Sequence, residues 1–151
     1  MTGNGSLETL FVVTAFLFQL ILIIHFALRK WRFDVALRSG WIVYLLSVPA
    51  ALVSVILLLG GMTWSFWLGG FLYLAWAAYG YSVEYIKKIE WRSPVRWSVF
   101  GPYIVLYLAT VMFYWWPLAL IDKSWWYVYT LMFFISTFLN ITSHKDTKEL
   151  N

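Results

Sequence analysis

The sequence predicts an all-α integral membrane protein, a bundle of five transmembrane helices with the N-terminus outside and the C-terminus in the cytoplasm. Three observations carry this expectation. Of 151 residues 62% are hydrophobic and only 12% charged, against about a quarter charged in soluble domains. The apolar residues are gathered into five continuous runs. Ten of the eleven Lys and Arg residues fall in the first link, the third link and the tail, which five spans would place on one side of a membrane.

Each run has the roughly 17–25 mostly apolar residues that a helix needs to cross the hydrocarbon. They are Leu7–Leu28, Trp41–Leu59, Trp64–Ser82, Val99–Pro117 and Trp125–Thr142, within a single transmembrane domain covering 1–151. A barrel is excluded because the runs do not alternate. Met1–Glu8 lacks the basic region of a signal peptide and the run after it is too long for one, so that run is read as the first span.

The first link carries Arg29, Lys30, Arg32 and Arg38, the third Lys87, Lys88, Arg92 and Arg96, and the tail Lys145 and Lys148; Lys123 stands alone on the other side. By the positive-inside rule the basic side is cytoplasmic, and the expected location is the cell's inner (plasma) membrane. The same clustering argues against nucleic acid as a partner and for the lipid bilayer. Trp31–Gly40 reads either as an ordinary basic link, which is favoured, or as a short interfacial helix with Trp31, Phe33 and Leu37 toward lipid. Gly60–Thr63 is expected as a tight hairpin, and Leu118–Ser124 as a loop after Pro117 stops the fourth helix. Trp64, Trp67, Trp115, Trp116, Trp125 and Trp126 sit at outer span ends, and Trp31, Trp41, Trp91 and Trp97 at inner ends, as aromatic belts.

Residues three and four apart share a helix face. The predicted inward lines are Thr14, Phe18, Ile21 and His25 in the first span, Ser47, Ala51 and Ser54 in the second, and Gly70, Tyr73, Ala77, Gly80 and Glu84 in the third. The fourth contributes Tyr103, Tyr107, Thr110 and Tyr114, and the fifth Tyr129, Phe133, Ser136, Asn140 and Ser143. Small residues and hydroxyls on such lines are first of all packing surfaces.

Ionisable residues inside spans are costly and usually face protein or water. His25 and Glu84 lie near the cytoplasmic ends of their spans, at the level of Tyr44, Tyr103 and Asn140. That level is the candidate site, with Glu84 and His25 as acid–base candidates and Tyr44, Tyr103, Tyr107 and Asn140 as ligand-binding candidates. The competing reading is that Glu84 sits at the headgroup level beside Lys87 or Lys88. No metal site or cofactor is expected. Cysteine is absent, so thiolate chemistry and Cys-ligated metals are excluded, and His25 with His144 does not make the transmembrane pair of a bis-histidine haem. No phosphate loop or HExxH pattern occurs, and the sequons at Asn4 and Asn140 read as chance matches.

Five short spans, about 150 residues and a Trp-rich composition give an outline that resembles the tryptophan-rich sensory or translocator proteins. That family's Trp-Pro-Pro pattern after its first helix is absent here, where the link reads RKWRFDVALRSG, so the resemblance assigns no site residue. The favoured function is a small membrane protein that binds a lipophilic small molecule or serves as accessory subunit to other membrane subunits. The alternatives are an integral membrane enzyme acting on a lipid or isoprenoid, and an oligomeric transport or channel subunit.

Overall fold

The computed structural model describes residues 5–91 and 94–143. Asn4, Arg92, His144, Lys145 and Lys148 lie outside the described residues. All secondary structure elements among the described residues are helical: α1 (Gly5–Trp31), α2 (Phe33–Leu45), α3 (Ser47–Leu59), α4 (Trp64–Tyr81), a π-helical turn (Ser82–Ile86), α5 (Trp97–Ile121) and α6 (Lys123–Ser143). Three helical rods, α1, α2 with α3, and α5, are long and apolar enough to cross a membrane. α4 and α6, of 18 and 21 residues, have a larger share of Trp, Tyr, Gly, Ser and Thr taken together and fall below that apolarity.

Sequence neighbours pack side by side, α4 against α3 and α5, α6 against α5, and α1 against α2. Contact between α1 and α6 closes the ring. The core runs along its axis from Phe11, Leu57 and Leu118 at the Gly60 end to Phe26 and Trp91 at the Trp31 end.

Close helix approach depends on the small residues. A methyl group on Gly70 would strike the Ser54 hydroxyl and the Ala50 carbonyl of α3. One on Gly69 would press on the Phe113 carbonyl of α5 at 3.2 Å. α4 is thus clasped on both sides through its glycines, as the small face of that run implies.

Four expectations are corrected. The Trp31–Gly40 link is not an ordinary link: helix resumes at Phe33 and continues, through a joint at Leu46, to Leu59. Pro49 marks the reason for the joint, because it has no N–H for the Leu45 carbonyl. The neighbouring acceptors are satisfied from inside the bundle, Val43 O by the Tyr73 hydroxyl and Tyr44 O by Ser47 Oγ at 2.6 Å. Pro117 does not stop α5, which runs on to Ile121 and leaves only Asp122 between α5 and α6. Packed neighbours and local adjustment allow apolar helices to carry a proline, and Pro117 is buried.

The inward line of α1 is also rotated from the expected one. Phe11, Ala15, Phe18, Gln19, Leu22 and Phe26 are its buried residues, with Thr14, Ile21 and His25 at the edge. Trp91 leaves the belt altogether, being 5% exposed against 74% for Trp97. Trp31, Trp41, Trp64, Trp116 and Trp125 are exposed, whereas Trp67, Trp115 and Trp126 are half-buried and pack against the core.

Candidate functional site

A cavity of about 740 Å³ opens at the Trp31 end of the ring. His25, Tyr44, Glu84, Tyr103, Tyr107 and Asn140, all six residues singled out in the sequence, line it. They come from α1, α2, the π turn, α5 and α6, so the cavity is built by the bundle as a whole and by no single local motif.

Glu84 is placed by the way α4 ends. The Lys87 N–H reaches back five residues to Ser82 O at 2.8 Å, which widens the last turn. Such turns recur at functional positions because they re-aim side chains that a regular helix would carry past. Tyr81 and Tyr85 stack at 5.0 Å across the turn. Lys88 then takes a positive φ of 49°, ending the helix. The following segment turns back, so that Trp91 rests on Tyr103 at 4.9 Å and on Phe100 at 5.9 Å.

Tyr44 comes from the opposite wall, near the joint between α2 and α3. Its hydroxyl donates to Glu84 Oε2 at 2.8 Å and lies 3.5 Å from the Tyr103 hydroxyl. Its ring lies over Gly80, where a Cβ would come within 2.8 Å of it. His25 approaches α2 at Gly40: a Cβ there would lie 3.6 Å from the imidazole and 3.1 Å from the Tyr85 hydroxyl. Tyr107 is near Ser136, whose hydroxyl accepts from Gln19 Nε2 at 2.6 Å. A line of polar groups therefore leads from Glu84 into the middle of the bundle.

Sequence reasoning missed several residues of this site. Arg29, in the sequence a topology signal, lines the cavity. Trp76, Tyr85 and Trp91 do so as well, and Trp76 holds the aromatic wall together, within 5.9 Å of the rings of Tyr44, Tyr73, Tyr103 and Tyr107. Tyr85 was traceable as the partner of Tyr81 four residues earlier. Burial of Trp91 had no signal in the sequence, because its position follows from the backbone reversal at Lys88.

Chemically the cavity combines aromatic and aliphatic walls with a carboxylate, an imidazole, a guanidinium, an amide and several phenols. Its size falls in the usual range of about 300–1,000 Å³ for small-molecule sites. Among the described residues, no three His, Asp or Glu side chains gather as metal ligands would. No protein-family model matches the chain, and no curated protein or solved structure matches it.

Proposed function

We propose that this chain is a polytopic protein of the inner (plasma) membrane, with five spans and a cytoplasmic C-terminus, that holds a lipophilic ligand in the cavity at its Trp31 end. The observation that carries the reading is that His25, Tyr44, Glu84, Tyr103, Tyr107 and Asn140, from five separate elements, line one open cavity. Five spans are supported by the packing of α4 and α6 into the same ring as the three long apolar rods. At about 1.5 Å per residue their 18 and 21 residues reach most or all of the roughly 30 Å of hydrocarbon. On this topology the cavity lies in the cytoplasmic leaflet, open to amphiphiles from the bilayer.

The test is retention of a lipophilic molecule by the isolated protein. Native mass spectrometry of the chain purified in mild detergent should show a lipophilic adduct. Ile104→Trp, which fills the cavity from a half-buried wall position, should lose it while keeping its helical content. An unchanged adduct in that variant would remove the cavity from the account, and would leave the accessory-subunit reading.

An enzyme acting on a lipid or isoprenoid is the second reading, favoured by Glu84 and His25 lining the same cavity as a bound tail would occupy. In that case Glu84 is the acid or base, held in place by Tyr44, and His25 its partner. Turnover of the retained molecule, abolished in Glu84→Gln with retention intact, separates this reading from simple binding.

A further inference from the structure

We infer that the ligand is an uncharged long-chain lipophile, an alcohol or a carbonyl compound, with its head end in the cavity beside Asn140 and its chain leaving along the seam between α5 and α6 as far as Trp115. This rests on the ligand-binding reading above and adds to it the head chemistry, the place of the chain and the way in from the bilayer.

The seam is closed at one end and open beyond it. Asp122 alone separates α5 from α6, and toward that end Trp115 Nε1 donates to Thr130 Oγ1 across the two helices at 2.7 Å. From this bridge toward the cavity runs a groove of about 330 Å³, walled by Leu108, Val111, Met112, Phe133 and Phe134. Val111 is its buried floor, and Leu108, Met112 and Phe134 are its exposed lips.

Groove and cavity follow the same two helix lines. Ile104 in the cavity wall is followed at four, seven and eleven residues by Leu108, Val111 and Trp115 in the groove. Asn140 in the cavity wall is preceded at three, seven and ten by Thr137, Phe133 and Thr130. Such spacings keep to one face of a helix, so the groove continues the cavity wall along the seam. From Ile104 to Trp115 the line is about 16 Å long at 1.5 Å per residue.

The groove selects hydrocarbon. Its polar side-chain groups are the Trp115 indole and the Thr130 hydroxyl, which bond to each other, and the hydroxyl donates in turn to Trp126 O at 2.7 Å. A polar occupant would lose its hydrogen bonds to water there, at a cost that a chain does not meet. The lips lie on the outer flank of α5 and α6, which faces lipid tails on the five-span reading. A chain borne by the bilayer therefore enters sideways, without passing between the basic loops.

Head chemistry follows from what the cavity leaves unpaired. His25, Arg29 and Glu84 already interact within the protein, so a charged head would have to displace an existing partner. The half-buried Asn140 side chain makes no hydrogen bond among the described residues. Its amide both donates and accepts, which a hydroxyl or a carbonyl complements without bringing a charge.

Photo-crosslinking in liposomes tests this, with hexadecanol that carries a diazirine near the end of its chain. Labelled peptides are mapped by mass spectrometry, and unlabelled hexadecanol or palmitate is added as competitor at equal mole fraction in the bilayer. Label should fall on Leu108–Trp115 and Thr130–Phe134 about fivefold or more above Leu52–Ile56, an exposed apolar stretch of α3. Palmitate should compete about tenfold less well than hexadecanol, because its charge has no free partner in the cavity. Asn140→Leu should weaken competition by hexadecanol about threefold to tenfold.

Palmitate competing as well as hexadecanol, or unchanged competition in Asn140→Leu, would overturn the uncharged head at Asn140. Label on Leu22, Phe26 and Trp76 without label in the seam would overturn the place of the chain and leave the cavity reading standing. Label spread evenly over α3, α5 and α6, without competition, would mean ordinary lipid contact and overturn both. Disulfide dimers of Met112→Cys that lose the label, in a chain with no other cysteine, would put a second copy in the groove and overturn the lipid occupant. Should Asn140→Leu fail to fold, the wild-type label pattern and the palmitate comparison decide the matter.

Discussion

The Tyr44 hydroxyl donates to Glu84 Oε2 at 2.8 Å, and it can do so only because position 80, between their elements, is glycine. The Tyr44 ring occupies the space where a Cβ on Gly80 would stand, 2.8 to 2.9 Å from three of its atoms. Three features thus fix one carboxylate: the joint at Leu46 before α3, the flat place at Gly80 on α4, and the π turn that follows it.

Tyr44→Phe should lower stability by about 1–3 kcal/mol, because a carboxylate in the cavity wall loses a charge-assisted bond. Glu84→Gln keeps an acceptor and should cost less. Thermal melts in detergent check both. Since the two side chains touch, the double variant should show a coupling of about 0.5–3 kcal/mol; strictly additive losses would separate Tyr44 from Glu84.

Gly80→Ala should cost about 1–3 kcal/mol by overpacking against the Tyr44 ring, despite the higher helix propensity of alanine. Gly101→Ala is the matched control. A Cβ there meets nothing within 4 Å outside its chain neighbours. The gain in propensity is set against the bias that the following Pro102 puts on a helical residue with a Cβ, so the change should stay within about 1 kcal/mol of neutral. Equal melting temperatures for the two variants would contradict the packing described at Gly80.

Orientation is checked by reporter fusions. Ten basic residues against one require a cytoplasmic reporter to be active after Arg92 or at Asn151 and inactive at Gly61. The reverse pattern would place the cavity in the outer leaflet and withdraw the cytoplasmic source of its ligand.

Most of the polar interior was legible because helical periodicity is insensitive to detail. Tyr107, Thr110 and Tyr114 in α5, and Tyr129, Ser136 and Ser143 in α6, are buried along the lines their spacing implied. The face of α1 differs from the expected one because its run is apolar nearly all round, so hydrophobicity carries little direction; Gln19, the one amide in that run, marks the buried side. Pro117 misled because a proline ends helices in water more reliably than in a packed apolar bundle. Arg29 and Tyr85 keep helical spacing from Phe26 and Tyr81, but Trp91 joins the cavity through the Lys88 reversal, which leaves no periodic trace. That the six cavity residues fall at one level of the helices could be counted from the sequence, whereas the full wall required the chain's path at the ends of the helices.

Deeper in the bundle, Gln19 Oε1 and the hydroxyls of Tyr114 and Tyr129 are buried without a hydrogen-bond partner among the described residues. Their situation is opposite to that of Tyr44. A phenol that holds a carboxylate loses a bond when cut to phenylalanine, but one left unsatisfied in an apolar surrounding sheds a desolvation cost of about 1–3 kcal/mol. Tyr129→Phe and Tyr114→Phe should therefore leave the melting temperature unchanged or raise it, while Tyr44→Phe lowers it. Tyr129 is fully enclosed, with its ring packed edge-on against Phe16 at 5.9 Å, so the phenylalanine ring fills the same space and little repacking intervenes. A loss of about 1 kcal/mol or more in Tyr129→Phe would mean that the hydroxyl is bonded after all, through a buried water bridging polar groups of α1, α5 and α6. The polar line from Glu84 through Tyr107, Ser136 and Gln19 would then extend as a hydrated path beyond the cavity.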